Sequence, residues 1–413
     1  MRTLPERTAK EVLAAKVGVL FAAALFFLPS AARAANVSVD CNAGGSINTT
    51  LSTLDLVGPH TITVTGTCTE RVNIFNRDRV TIQASPGQTA TIVSPTAGFG
   101  RMINIAGSHS ITLRRLLITG GRAGIVLDRG SEVTVEEITV EKNAASGVQL
   151  FSRSSLHMSF SNVRRNGRTG ISANDSTLAI DGGATIENNG RSGVTAISSR
   201  VLISGDVGSE NIVRGNSGAG LSIANASTAE VSGANTIANN TGFGVMAIHA
   251  SALTLFEATV EGNGETGVHV GEVSHGELGD NIIRNNGGSS PFSSGGVAAV
   301  SNGDVSLDGG NKITNNTGPG VFVDQSSTVM SSGGNTVSTN TEDGVRLIRQ
   351  AVGRFLAPDT IVDNGNANLF CDTTSLVAGD LTGVTNIKCT RIEREHGPPR
   401  PGRIHDLTEP VDP

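Results

Sequence analysis

Residues 238–245 read ANNTGFGV, with Asn240 four positions before Gly244 and a valine directly after it. Two glycines this close suggest a loop that cradles a phosphate, but the spacing of a dinucleotide or P-loop motif is absent. Recurrence decides the reading. The same Asn-x-x-x-Gly pair stands at Asn143/Gly147, Asn166/Gly170, Asn189/Gly193, Asn216/Gly220, Asn263/Gly267, Asn316/Gly320 and Asn340/Gly344. Asn286 joins the series with its glycine delayed to Gly296 by an insertion around Ser289–Ser294. Gly120/Gly124 keeps the spacing upstream, and Asn364 closes the series. Steps of 23 to 30 residues between anchors mark a solenoid, not a single ligand loop.

Neighbouring positions give the geometry. Three residues before the anchors stand Leu117, Val140, Val163, Ile186, Val213, Ile237, Val260, Ile283, Ile313, Val337 and Ile361. Directly after the glycines stand Ile125, Val148, Ile171, Val194, Leu221, Val245, Val268, Val297, Val321 and Val345. Alternation of period two with β-branched residues reads as short half-buried strands. A leucine-rich repeat shares the period but needs an L-x-x-L-x-L frame, and here the core positions are Val and Ile. The expectation is an all-β, single-domain right-handed parallel β-helix of about 12–13 rungs. Stacked rungs would bring like side chains over one another about 4.8 Å apart, so that asparagines bond to asparagines. The ladder would comprise Asn143, Asn166, Asn189, Asn216, Asn240, Asn263, Asn286, Asn316, Asn340 and Asn364. In this reading asparagine takes the left-handed corner, and glycine supplies positive φ or close backbone approach. Asn368 stands where the last glycine is due, as the side chain that best tolerates that conformation. A second ladder is expected at Asn211, Asn235, Asn281, Asn311 and Asn335, closed by Asp359.

The repeat I/V-x-x-N-x-x-x-G-V/I resembles the β-helix repeat of the pectate-lyase-like superfamily, over roughly residues 70–389. The resemblance implies the fold, while function stays open, because lyases, hydrolases, epimerases, phage spikes and adhesins share it.

The ends and the composition bound the rest. Arg2, Arg7, Lys10 and Lys16 precede the apolar run Val17–Leu28, and Ala32-Arg33-Ala34 offers a cleavage site, so residues 1–34 read as a secretory signal peptide. No later run is long and apolar enough to span a membrane. Removing the signal leaves 26 basic against 35 acidic residues, which argues against nucleic acid or anionic lipid as partner. The expected partner is an extracellular polysaccharide or a cell-surface component, and no cofactor or metal is expected. In an exported chain, Cys41 with Cys68 and Cys371 with Cys389 read as two disulfides, one at each end. Residues 35–70 read as an N-terminal cap with a short helix in Ser46–Val57, presenting Ile47, Leu51, Leu54 and Leu56 on one side. Residues 71–389 read as the solenoid and 390–413 as a flexible tail.

Polygalacturonases, within the same superfamily, stack aspartates just before the Gly-Ile strand. Here that position holds Ser146, Thr169, Ser192, Ala219, Phe243, Thr266, Gly295, Pro319 and Asp343, so Asp343 alone matches. Glycoside hydrolysis needs two carboxylates, and the family's Gly-His-Gly and Arg-x-Lys motifs are missing. The other candidates are His269, His275 and Glu277 with Glu272 at a corner, an acid–base or metal patch, and Asp343 with Arg346 and Arg349. Asp128, Arg129 and Arg153 form a lesser group. Outward positions after the glycines read as a smooth strip, and the chain has no Trp or Tyr to stack on sugar faces. The reading is therefore an exported non-catalytic β-helix with a structural or surface-interaction role. The alternative is a lyase, epimerase or hydrolase with a divergent site.

Overall fold

The computed structural model describes residues 34–288 and 295–393. The residues read as a signal peptide, the insertion at 289–294 and the residues beyond 393 read as a tail lie outside the described residues. The chain winds through three parallel sheets of sixteen, thirteen and fourteen strands, visited in turn on every rung. One rung runs Glu132–Glu136, Thr139–Glu141 and Val148–Leu150 before the next begins at Ser155. The Asn-x-x-x-Gly unit is the corner between the thirteen- and fourteen-stranded sheets.

The core is a column of aliphatic side chains. Residues three before the asparagine anchors, from Val140 to Ile361, are each at most 3% exposed. One anchor is displaced by a residue. Val140 pairs with Ile118, so Leu117 faces outward, and Gly121 rather than Gly120 occupies the ladder position, donating its N–H to Asn143 Oδ1 at 3.0 Å.

From Asn143 to Asn364 each amide Nδ2 donates to the next Oδ1 at 2.9–3.1 Å. The roles within the corner differ from expectation. Positive φ belongs to the residue before each anchor, such as Lys142, Asn188, Asn239 and Thr339, and not to the anchor itself. The left-handed residue turns the chain, which leaves the anchor free to direct its amide along the column. Nor do the glycines that close the motif have positive φ. A Cβ on Gly220 would stand 2.5 Å from Ile237 Cγ2 and 2.8 Å from the Gly244 carbonyl oxygen of the next rung. Close approach alone selects glycine there. Asn368 likewise has no positive φ; its Oδ1 accepts from the backbone N and Nδ2 of Asn364 at 3.1 and 2.9 Å. It stands in for the asparagine that a further rung would have supplied.

The second ladder joins Asn281, Asn311, Asn335 and Asp359 by bonds of 2.8–3.1 Å, while Asn211 pairs with Asn235. Ala258 separates the two groups, giving its N–H to Asn281 Oδ1. A serine ladder not anticipated from the sequence lines the corner into the sixteen-stranded sheet. There Ser131 N donates to Ser154 Oγ and Ser199 N to Ser227 Oγ.

At the N-terminal end a helix spans Ile47–Thr53, burying Ile47 and Leu51, whereas Leu56 is exposed. Leu56 falls beyond the helix, just before the strand Val57–Thr65, so helical spacing no longer governs it. Ser46 Oγ caps the helix at Thr49 N, and Glu70 accepts from Ser46 Oγ and the backbone N of Ile47 and Asn48. A carboxylate at a helix N-terminus satisfies free N–H groups and meets the positive end of the dipole. The segment expected to be cap also contributes strands, because Ala35–Asp40 pairs with Val57–Thr65. At the other end Ile392–Glu393 pairs with the strand Leu376–Gly379, so pairing continues past residue 390.

Disulfides join Cys41 to Cys68 and Cys371 to Cys389. Alkylation of the denatured, unreduced protein should therefore label no cysteine, and mass spectrometry finding adducts on Cys371 or Cys389 would remove the C-terminal staple.

Candidate functional site: an arginine-lined corner

The corner between the thirteen- and fourteen-stranded sheets changes character along the solenoid. On the first rungs it carries Arg71, then the loop Ser94–Gly100 followed by Arg101, then Arg122. Two adjoining clefts open there and share Arg101. One, of about 390 Å³, is lined by Phe99, Arg101, Arg122, Gln149, Phe151 and Arg168 among others. The second, of about 560 Å³, is lined by Glu70, Arg71, Asn73, Pro95, Arg101 and Asn104 with Thr69.

Local geometry holds these groups in place. Ser94 Oγ donates to the carbonyls of Thr96 and Phe99, and Gly98 N to Gly120 O at 2.8 Å, fixing the loop as a wall. Gly100 has φ +77°, and a Cβ there would meet Arg71 Nη1 at 2.5 Å. Glycine thus lets the guanidinium lie across the loop, 5.7 Å from the centre of the Phe99 ring, within cation–π range. Arg101 Nη1 donates to Asn104 Oδ1 at 3.0 Å. Among the described residues Arg71, Arg101, Arg122, Arg168 and Arg191 form no ion pair with a carboxylate. Glu70, the sole carboxylate among the described residues that line the clefts, is engaged by the helix N-terminus. The expectation of a smooth strip fails here: the strand positions are bland, and the charge comes from the corners beside them.

The candidates named from the sequence are not brought together. His275 Nδ1 lies 3.1 Å from Asp304 Oδ2, and Glu272 pairs instead with His249 at 2.7 Å. Glu277 shares the sixteen-stranded sheet with His275, whereas His269 belongs to the fourteen-stranded sheet. The corner between those sheets separates the two faces, so a two-residue alternation within each strand cannot unite them. His269 packs at a tilt against Phe243 of the preceding rung, ring centres 4.7 Å apart, and its Nδ1 is buried without a partner among the described residues. Burial lowers its pKa to about 4 and raises that of Glu265 above the ordinary glutamate range.

The sign of the resulting pH effect follows. A histidine whose folded pKa lies below its unfolded value, about 6.5, takes up its proton more readily in the unfolded chain. Its contribution is complete above pH about 6.5 and is lost as pH falls toward 4. His269→Phe is expected to flatten the fall in unfolding midpoint across that window. Parallel curves for variant and wild type would contradict the buried neutral ring.

Asp343 is 3% exposed and accepts from Ala367 N of the next rung at 2.9 Å. Arg346 Nε lies 3.3 Å from Asp343 Oδ2, near enough for ion pairing but not aligned for a hydrogen bond. Its Nη1 donates to Glu342 Oε2 at 2.6 Å. Arg349 does not join them; it pairs with Asp324 on the preceding rung. Arg349 sits at a left-handed corner, φ 53°, which carries its side chain away from Asp343. Arg153 lies 4.0 Å from Asp175, and Asp128 Oδ1 accepts from Arg129 N. The arginines of the clefts were missed although GGRAG, NGRTG and NGRSG place arginine at the centre of three corners. Those arginines stand two residues before the glycine, one position short of the residue that holds aspartate in polygalacturonases.

No helix among the described residues is long and apolar enough to cross a membrane. A family model described as "Right handed beta helix region" matches residues 60–234, 176–302 and 233–378. No curated protein matches the sequence. Among solved structures, the chain is similar to the A-module of the Azotobacter vinelandii mannuronan C-5 epimerase AlgE4. Identity is 14%, the TM-score 0.48, and coverage 81% of this chain and 91% of that chain. It is similar to the periplasmic alginate epimerase AlgG at 13% identity and TM-score 0.41, over 82% and 77% of the two chains. Tailspike protein 2 of Escherichia coli O157:H7 bacteriophage CAB120 is a third, at 10% identity and TM-score 0.38, over 88% of this chain and 42% of that one. At these identities the likeness concerns the fold alone. With overlapping family matches running over more than half its length, the chain belongs to the right-handed β-helix family.

Proposed function

We propose that this is an exported, non-catalytic β-helix that binds an acidic polysaccharide, free or at a cell surface, in the arginine-lined clefts of its N-terminal rungs. One observation carries the reading: four unpaired arginines line adjoining clefts whose single carboxylate is occupied elsewhere. Residues 35–130 hold eight arginines against five carboxylates, although the whole chain is acidic. Phe99 and Phe151 offer apolar faces in place of the missing Trp and Tyr. Two disulfides suit an oxidising compartment, in agreement with the signal segment read from the sequence.

The test is binding of polygalacturonate, with a neutral glucan as control, measured by affinity electrophoresis and calorimetry. Binding should weaken with salt, since exposed charges are screened beyond about 8–10 Å. Arg101→Ala/Arg168→Ala should weaken binding about tenfold, taking each exposed contact at up to about 1 kcal/mol. Equal affinity for the neutral glucan, or an unaffected double variant, would refute the site. Asp343→Ala should leave binding unchanged, because its buried carboxylate serves the next rung's backbone. New reducing ends or unsaturated products, abolished by Asp343→Ala, would make the protein an enzyme instead.

A further inference from the structure

The N-terminal cap builds part of the second cleft. Asn48, on the helix Ile47–Thr53, bonds to three residues that line it. Its Nδ2 donates to Glu70 Oε2 at 2.8 Å and to Arg71 O at 2.6 Å, and its Oδ1 accepts from Asn73 N at 2.9 Å. The Glu70 carboxylate takes further bonds from Ser46 Oγ, Ile47 N and Asn48 N, at 2.6–3.2 Å. Cys41, near the start of the cap, is joined to Cys68, the chain neighbour of the cleft residue Thr69. At its other end the helix is held by Arg77, whose guanidinium donates to the carbonyls of Leu51, Leu54 and Asp55. The apolar anchorage is small, since only Ile47 and Leu51 of the helix are buried. An element with so few buried apolar contacts belongs to the least stable part of a fold and opens locally.

We infer that docking of the cap sets the charge of the cleft, so that cap docking and binding of an acidic polysaccharide strengthen one another. This deepens the proposed function and rests on it. With the cap docked, its donors occupy Glu70 and leave the guanidiniums of Arg71 and Arg101 free for the ligand. With the cap undocked, the same carboxylate stands among those arginines without its donors. There it pairs with a guanidinium or repels the polyanion, and either outcome weakens binding. A ligand that prefers the docked state stabilises that state by the same factor that docking adds to its affinity. The cap therefore serves the site as well as covering the end of the solenoid.

The experiment measures polygalacturonate affinity by calorimetry and cap opening by amide hydrogen exchange, both on the full chain. Leu51→Ala removes buried apolar surface from the cap and alters neither a charge nor a residue lining the cleft. It should weaken affinity about five- to tenfold. Adding Glu70→Gln, which keeps an acceptor oxygen and removes the charge, should recover most of that loss. Leu369→Ala, at a likewise buried leucine near the opposite end, should leave affinity unchanged. In the wild type, saturating polygalacturonate should slow exchange of the Thr50 and Leu51 amides. Unslowed exchange in the bound protein, full affinity in Leu51→Ala, or a loss that Glu70→Gln does not recover would overturn the coupling. Wild-type binding alongside any of those results leaves the proposed function standing; a wild type that binds no polygalacturonate removes both.

Discussion

Asn240→Ala is expected to lower stability by about 3–4 kcal/mol, against about 0.5 kcal/mol for an ordinary surface change. The amide of Asn240 donates to Val213 O at 3.1 Å and to Asn263 Oδ1 at 3.0 Å. Its oxygen accepts from the backbone N and Nδ2 of Asn216 at 3.1 and 2.9 Å. Alanine removes these four hydrogen bonds, leaving Asn216 N without its acceptor and Asn216 Nδ2 and Asn263 Oδ1 with one partner each, and a buried group left unmade costs about 1–3 kcal/mol before neighbours relax. Urea unfolding with matched slopes, set beside the exposed control Ser217→Ala, reads the difference. A midpoint no lower than the control's would show that the stacked amides contribute nothing beyond their shape.

Gly244→Ala should cost as much or more, about 3–5 kcal/mol, by a different route. A Cβ at Gly244 would stand 2.5 Å from both Val260 Cγ1 and the Gly267 carbonyl oxygen, and 2.8 Å from Asn263 Nδ2. Two of those atoms belong to the ladder and the backbone of the next rung, so relief requires separating the rungs. Gly130→Ala is the informative control, with φ +67° but nothing within 4 Å of the added carbon. It should lose only about 1 kcal/mol, the cost of a side chain in the left-handed region. If Gly244→Ala matched Gly130→Ala, close approach would not be what selects glycine after the ladder.

These expectations show how far residue types carried the reading. The period, the inward Val and Ile and the stacked asparagines were legible because translation along one axis repeats each contact. A side chain that fits one rung must fit the next, so the constraint is written many times over. Reasoning failed where two backbone roles compete within one corner. Asparagine and its predecessor both tolerate positive φ, and composition cannot say which does so. The backbone dihedral angles show that the predecessor turns the chain. Gly121 was missed for a related reason, since Gly120 and Gly121 are adjacent and only strand register separates them.

The candidate site was less legible. Its arginines stand in plain repeats, yet NGRTG and NGRSG by themselves mean no more than a solvated turn. They become a row when backbone bonds place Arg122, Arg168 and Arg191 on one line, and a cleft when the loop Ser94–Gly100 walls them. Conversely, HVGEVSH gathers histidines and acids within a few residues, and the fold distributes them over two sheets.

By itself, then, the sequence determined the architecture, the core column and the amide ladders, because these are local patterns repeated at a constant period. The tertiary structure alone decided which corner residue bears the left-handed strain, which arginines keep free charge and which face they share. Those properties depend on contacts between residues about one rung or more apart in the chain, where the partner of each group is chosen by stacking and not by sequence neighbourhood.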